Sequence, residues 1–183
     1  ATEKSTWDLG QIRTIARGTL TETGQLVADT SADSDWEVSI RSILQAGSYT
    51  SSLGSQVTTL IAGDFIQLEV AGQQHGLEPL RPLKFATDQP VAATQPAMEL
   101  LLLHVAANPD RVRATVRIVE LSKKRDQYLF DGQLGMLVEG SATLTLNDLQ
   151  RPLGLRDTVI GSDSAEPTVS GRGFLAVISF DLP

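Results

Sequence analysis

Two histidines and no cysteine are all that this chain offers in the way of imidazole or thiolate chemistry. A first-row metal needs three or four donors converging from one side, so His75 and His104 alone cannot form a three-histidine centre. The richest mixed stretch, "MELLLLHV", carries Glu99 five residues before His104. In an extended strand that separation places the two side chains on opposite faces, which argues against an acid–base dyad. His104 follows an apolar run and reads as a core histidine, and His75, in "GQQHG", as the cap of a turn. The serines lack a histidine partner of the triad type, and no glycine-rich loop introduces a helix to cradle phosphate. The acidic groups Asp29/Asp33/Asp35 and Asp163/Glu166 read as solvated loops, and Lys123-Lys124-Arg125 as a solvated turn. No catalytic residue, metal or cofactor is assigned.

What remains is a polar set that strand alternation can aim at an interior. Ser39 and Arg41 share a face of "VSIRS", Arg13 lies in "IRTI", and Glu99 begins the most apolar strand of the chain. A buried arginine needs a partner, so an Arg41–Glu99 or Arg13–Glu99 pair is expected near the mouth of the first β unit, with Leu101 and Leu103 pointing inward on the face of Glu99. A fully exposed Glu99 with no arginine nearby would remove the basis of that pocket and put the scaffold reading first. Trp36 is a core or pocket-wall aromatic.

The elements that must position these residues are short strands. Apolar residues alternate in "WEVSI", "FIQLEV", "VRATVRI" and "SATLTL", and Gly, Pro, Asp and Asn cluster between them at "QAGS", "AGQQHG", "TDQP", "ANPD", "FDGQ" and "GSDSAEP". "PAMELLLLHVA" has helical propensity but no 3.6-residue period, and it reads as a buried strand. The pattern is also doubled. "LIAGDFIQLEV", "LRPLKFATDQP" and "MELLLLHV" recur in order as "LVEGSATLTL", "LRDTVIGSDSAEP" and "GFLAVISF". Gly63 with Gly140 sets the copies 77 residues apart, Leu80-Arg81 with Leu155-Arg156 sets them 75 apart, and matching Ile66/Leu68/Val70 to Ala142/Leu144/Leu146 requires 76. A one-residue slip exchanges the faces of a strand, so the apolar faces are preferred as the guide, and Val70 and Leu146 are expected at equivalent inward positions. Residues 36–105 and 114–181 should superpose as two all-β units, each a small closed barrel or jelly roll, with the hinge at "AANPD" and domains at 1–107 and 108–183.

The stretch "DWEVSIRSILQAGSYTSSLGSQVTTLIAGDFIQLEV" followed by "PLKFATDQPVAA" resembles the central signature of the HutD/Ves proteins, which are double cupins. The resemblance rests on Asp35-Trp36, Ser39-Ile40, Gly47 with Tyr49, Gly54 with Gln56, Leu60 with Gly63, Pro82, Phe85 and Pro90-Val91. It implies an all-β bicupin with little helix and adds Gln56, where the family carries an Asp-Arg pair, to the ligand-binding candidates Arg13, Trp36, Ser39, Arg41 and Glu99. Of the family's N-terminal motif, Trp7, Gly10 and Arg13 are kept. Counting the cupin metal motif from Gly63 puts Glu69 and Ala71 at its histidine positions, and from Gly140 puts Leu146 and Asp148 there, so neither copy has the site.

Unbroken apolar runs such as Leu100–Leu103 are far too short to span a membrane, and "ATEKSTWDLG" has no signal-like core. Absence of cysteine suits a reducing cytoplasm. A net charge of −7 opposes a phosphate backbone, so no nucleic-acid or membrane partner is expected. The reading is a cytoplasmic, metal-free bicupin that binds a small polar metabolite, a carboxylate among the candidates, in a regulatory or accessory role. Two alternatives stand beside it: a cupin isomerase or lyase with a non-standard metal site at His75 and Glu69, and a structural or protein-interaction scaffold.

Overall fold

Alternation becomes strand and the turn-rich stretches become tight connections. A computed structural model describes residues 11–29, 33–50, 53–86 and 89–183, and among these it contains strands and no helix. Trp7 and Gly10, and Thr87-Asp88 of the expected turn "TDQP", lie outside the described residues. In chain order the strands are β1 (Ile12–Leu20), β2 (Leu26–Ala28), β3 (Trp36–Ile43), β4 (Gly47–Tyr49), β5 (Ser55–Ala62), β6 (Ile66–Val70), β7 (Gln73–Leu77), β8 (Leu83–Phe85), β9 (Val91–Ala93) and β10 (Leu100–Ala107). There follow β11 (Arg113–Leu121), β12 (Gln127–Tyr128), β13 (Gln133–Leu146), β14 (Leu149–Leu153), β15 (Thr158–Ile160) and β16 (Thr168–Asp181). The chain divides into two compact units, one of residues up to Thr19 with Ala28–Val112, the other of Leu20–Val27 with Arg113–Pro183.

In the first unit the strands β1-β3-β10-β5-β8 of one sheet face a four-stranded sheet, β4-β9-β6-β7. Both sheets contribute to one core, with Ile43, Leu60 and Leu102 from the first and Tyr49, Leu68 and Val91 from the second. β10, the expected buried strand, lies between β3 and β5. Leu100, Leu102 and His104 project to one face, while Leu103, Val105 and Ala107 project to the other and are equally buried. Burial on both faces explains why this segment reads as an unbroken apolar run rather than an alternation. In the second unit β11-β16-β13-β14 form the sheet, with β12 on β16 and β15 on β13, around a core that includes Leu121, Leu137, Leu175 and Val177.

The two units share several matching backbone features. Opposite β10, Leu102 pairs with Leu60 and Leu101 with Ala62, leaving Ile61 as an extra residue. Opposite β16, Leu175 pairs with Leu137 and Phe174 with Glu139, leaving Val138 extra. These are the same β-bulge. Each is followed by a left-handed glycine, Gly63 (φ +115) and Gly140 (φ +92), where a Cβ would fall 2.0 Å from Leu100 Cδ2 and from the Arg172 carbonyl oxygen respectively. Up to this corner the copies are 77 residues apart. Beyond it the spacing is 76: the two-residue hairpin turn Ala71-Gly72 matches Asn147-Asp148, all four with positive φ, and left-handed Leu80 matches left-handed Arg156. The N–H of Leu80 donates to the Leu60 carbonyl at 2.9 Å and that of Arg156 to Leu137 at 2.7 Å. One residue fewer between corner and strand therefore reconciles the glycines with the apolar faces, and the 75-residue match of Leu80-Arg81 is corrected to 76.

Burial does not follow the repeat to its tip. Val70 is 5% exposed, whereas Leu146, at the same place before the turn, is 36% exposed. Leu146 keeps the face of Ala142 and partly buried Leu144, but β13 runs past the core there, and its partner across the hairpin, Leu149, is also exposed.

Candidate functional site

Register decides which polar side chains meet inside the first unit. β10 sets His104 between Ser39 of β3 and Thr58 of β5, Leu102 between Arg41 and Leu60, and Ala106 between Glu37 and Gln56. Residues directly opposite in an antiparallel pair share a face. Ser39, Arg41, Gln56, Thr58 and His104 accordingly lie on the face that builds the core with Leu60 and Leu102. From the facing sheet comes Tyr49, fully buried, its ring edge-to-face with His104 at 5.5 Å and 88°. The guanidinium carbon of Arg41 sits 4.4 Å from the centroid of the same ring, a cation–π contact. His104 Nδ1 and Thr58 Oγ1 are 3.5 Å apart.

The electrostatics follow from burial. His104 is driven from an ordinary 6.5 down to about 3 by desolvation, with the Arg41 charge adding to it, so its imidazole is neutral. Burial raises the Tyr49 phenol, opposed by Thr58 and by Arg41. Burial lowers the Arg41 guanidinium, opposed by Tyr49 and by Glu37. Among the described residues the buried Ser39 Oγ, Arg41 Nε and Tyr49 hydroxyl find no hydrogen-bond partner. The Thr58 hydroxyl influences Tyr49 from nearby without meeting the geometry of a hydrogen bond to it.

Of the six residues expected at a site, Ser39, Arg41 and Gln56 are brought together here, with Gln56 wholly buried. The other three are not. Arg13 pairs with Ile40, which puts it on the opposite face of the sheet, and it is exposed. Trp36 also lies on that opposite face, buried, its indole N–H donating to the Thr19 carbonyl at 2.8 Å. Glu99 precedes β10, is exposed, and among the described residues forms no ion pair. Its face, with Leu101 and Leu103, turns away from the core because Leu100 and Leu102 take the inner positions. The expected arginine–Glu99 pair is therefore not made, and the pocket drawn around Glu99 from the sequence loses its basis. Tyr49, Thr58 and His104 were missed as members of the cluster. Tyr49 stands in a quoted motif, two residues after Gly47, but only strand pairing shows where its ring goes.

A metal does not fit these residues. The interior holds one imidazole, a phenol and hydroxyls next to a guanidinium, and among the described residues no three of His, Asp or Glu converge. His75 pairs across β6–β7 with core-facing Leu68 and packs edge-to-face on Phe85 at 5.2 Å. Glu69 projects from the other side of β6 and is exposed. The two cannot share an ion.

In the second unit the equivalent interior is apolar. Val119, Gly135 and Val177 occupy the places of Arg41, Thr58 and His104, and Arg117, in the place of Ser39, is exposed.

The sequence model of the HutD family matches residues 8–177. The chain belongs to the HutD family. Solved structures agree on the fold. HutD from Pseudomonas fluorescens SBW25, in a formate condition, is 23% identical with a TM-score of 0.67, covering 94% of this chain and 100% of its own. A conserved protein of unknown function from Pseudomonas aeruginosa PAO1 is 16% identical with a TM-score of 0.73, covering 94% of this chain and 91% of its own. A cupin 2 conserved barrel domain protein from Leptotrichia buccalis is 5% identical with a TM-score of 0.58, over 94% and 90%. The expected all-β double cupin of HutD type is thus borne out. Comparison with curated proteins gave no significant match. No helix among the described residues is long and apolar enough to cross a membrane.

Proposed function

We propose that this HutD-family chain binds a small oxyanion-bearing metabolite, a carboxylate by preference, inside its first unit, in an accessory or regulatory role. The observation that carries this reading is that buried polar atoms of Ser39, Arg41 and Tyr49, side chains of one core, are left without a partner among the described residues. A buried donor without a partner costs about 1–3 kcal/mol, and a carboxylate accepts from a guanidinium and hydroxyls together. Neutral His104 adds a group that can donate without bringing a second charge. The site needs no Glu99: among the described residues no carboxylate forms an ion pair with Arg41, whose charge is left for a ligand.

The test is a thermal-shift screen of small carboxylates, formate included, followed by calorimetry on whatever stabilises. Saturable stabilisation that disappears in Arg41→Gln is the expected result. Stabilisation by none of them, or stabilisation untouched by Arg41→Gln, would overturn it. The structural-scaffold reading is favoured by one observation, the Arg41–Tyr49 contact, which gives the guanidinium a partner without any ligand. Under that reading Arg41→Gln changes stability alone.

A further inference from the structure

The second unit is apolar at the places of Arg41, Thr58 and His104, yet its surface carries a concavity of about 580 Å³ beside the turn that follows β11. Four cations line it, Lys123, Lys124, Arg125 and Arg172, against one carboxylate, Glu120. Among the described residues none of the four forms an ion pair, in a chain whose net charge is −7. The four residues are exposed, and backbone hydrogen bonds fix the elements that carry them. Ser122 Oγ accepts from the Lys124 N–H at 3.1 Å, fixing the turn, and the Ser122 carbonyl accepts from the Gly171 N–H at 3.3 Å, tying the turn to β16. There Arg172 stands between Gly171 and Gly173, both with positive φ, at the bend of the strand.

From this we infer that the concavity is a binding site for a small multivalent oxyanion, a compound bearing several phosphate or carboxylate groups. Like charges gathered around one hollow repel each other, and a polyanion relieves that repulsion while accepting from several donors at once. The footprint is one hollow rather than a track, and the rest of the chain is acidic, which favours a compact ligand over a nucleic-acid backbone.

The experiment is calorimetry on the full chain with sodium tripolyphosphate and, separately, citrate, at low salt. Binding of either anion that weakens roughly tenfold or more in the Lys124→Gln/Arg172→Gln variant is expected, the tighter of the two naming the class of group recognised. Lys84→Gln, an exposed substitution in the other unit, should leave that binding unchanged; anion binding lost in Arg41→Gln but kept in the double variant would assign it to the interior and overturn the inference. No binding of either anion would overturn the inference, as would binding undiminished in the double variant, or a duplex DNA fragment bound as tightly as tripolyphosphate. Circular dichroism of the double variant confirms that its fold is intact.

Discussion

The guanidinium carbon of Arg41 stands 4.4 Å from the centre of the Tyr49 ring, and the Tyr49 hydroxyl finds no hydrogen-bond partner among the described residues. The aromatic face and the hydroxyl therefore do opposite things for stability. Tyr49→Phe should leave the ligand-free protein unchanged or raise its stability by about 1 kcal/mol, because a stranded buried hydroxyl is removed. Tyr49→Leu, which also takes away the ring beneath the cation, should cost roughly 2–4 kcal/mol. Urea denaturation of the two variants side by side reads the difference.

His104 sets part of the acid sensitivity. Its pKa is about 3 when folded against 6.5 ordinarily, so above 6.5 it is neutral in both states and contributes no pH dependence. Between those values the unfolded chain takes up a proton that the folded chain does not, and stability is lost as pH falls through that window. His104→Gln should flatten the stability profile there by about one proton per molecule, measured as the slope of unfolding free energy against pH. An unchanged slope would mean that the imidazole is protonated in place.

The two glycine corners should differ in tolerance. In Gly63→Ala the new methyl meets the far end of the Leu100 side chain, which can turn aside, and the loss should be about 2 kcal/mol, mainly from the left-handed backbone. In Gly140→Ala it meets the Arg172 carbonyl, part of the paired backbone of β16, and the loss should exceed 3 kcal/mol or so. Equal denaturation midpoints would contradict the contacts described.

The strands, the duplication and the buried nature of β10 were legible because periodicity is a local property. Which face of β10 turns inward was not. With four leucines in a row, Leu100 and Leu102 cannot be told from Leu101 and Leu103 until register with Arg41 and Leu60 is known, and that ambiguity placed Glu99 on the wrong side. Arg13 failed for the same reason, its side chain being set by pairing with Ile40. The 77- and 76-residue spacings looked contradictory because a missing residue between Gly140 and Ala142 is invisible to an alignment that seeks a single offset. Tyr49 reaches His104 from a different sheet, a contact that no strand pattern contains.

The hydrocarbon interior of the second unit bears on how the two halves can change. Val119, Leu137, Leu175 and Val177 can be exchanged for other apolar residues at nearly constant volume, with only packing to satisfy. Ser39, Arg41, Thr58 and His104 have no such freedom, since an aliphatic replacement at any one of them alters which polar atoms its neighbours are left facing. A library randomised to aliphatic residues at both sets of positions and sorted for folded protein should come back diverse in one half and narrow in the other.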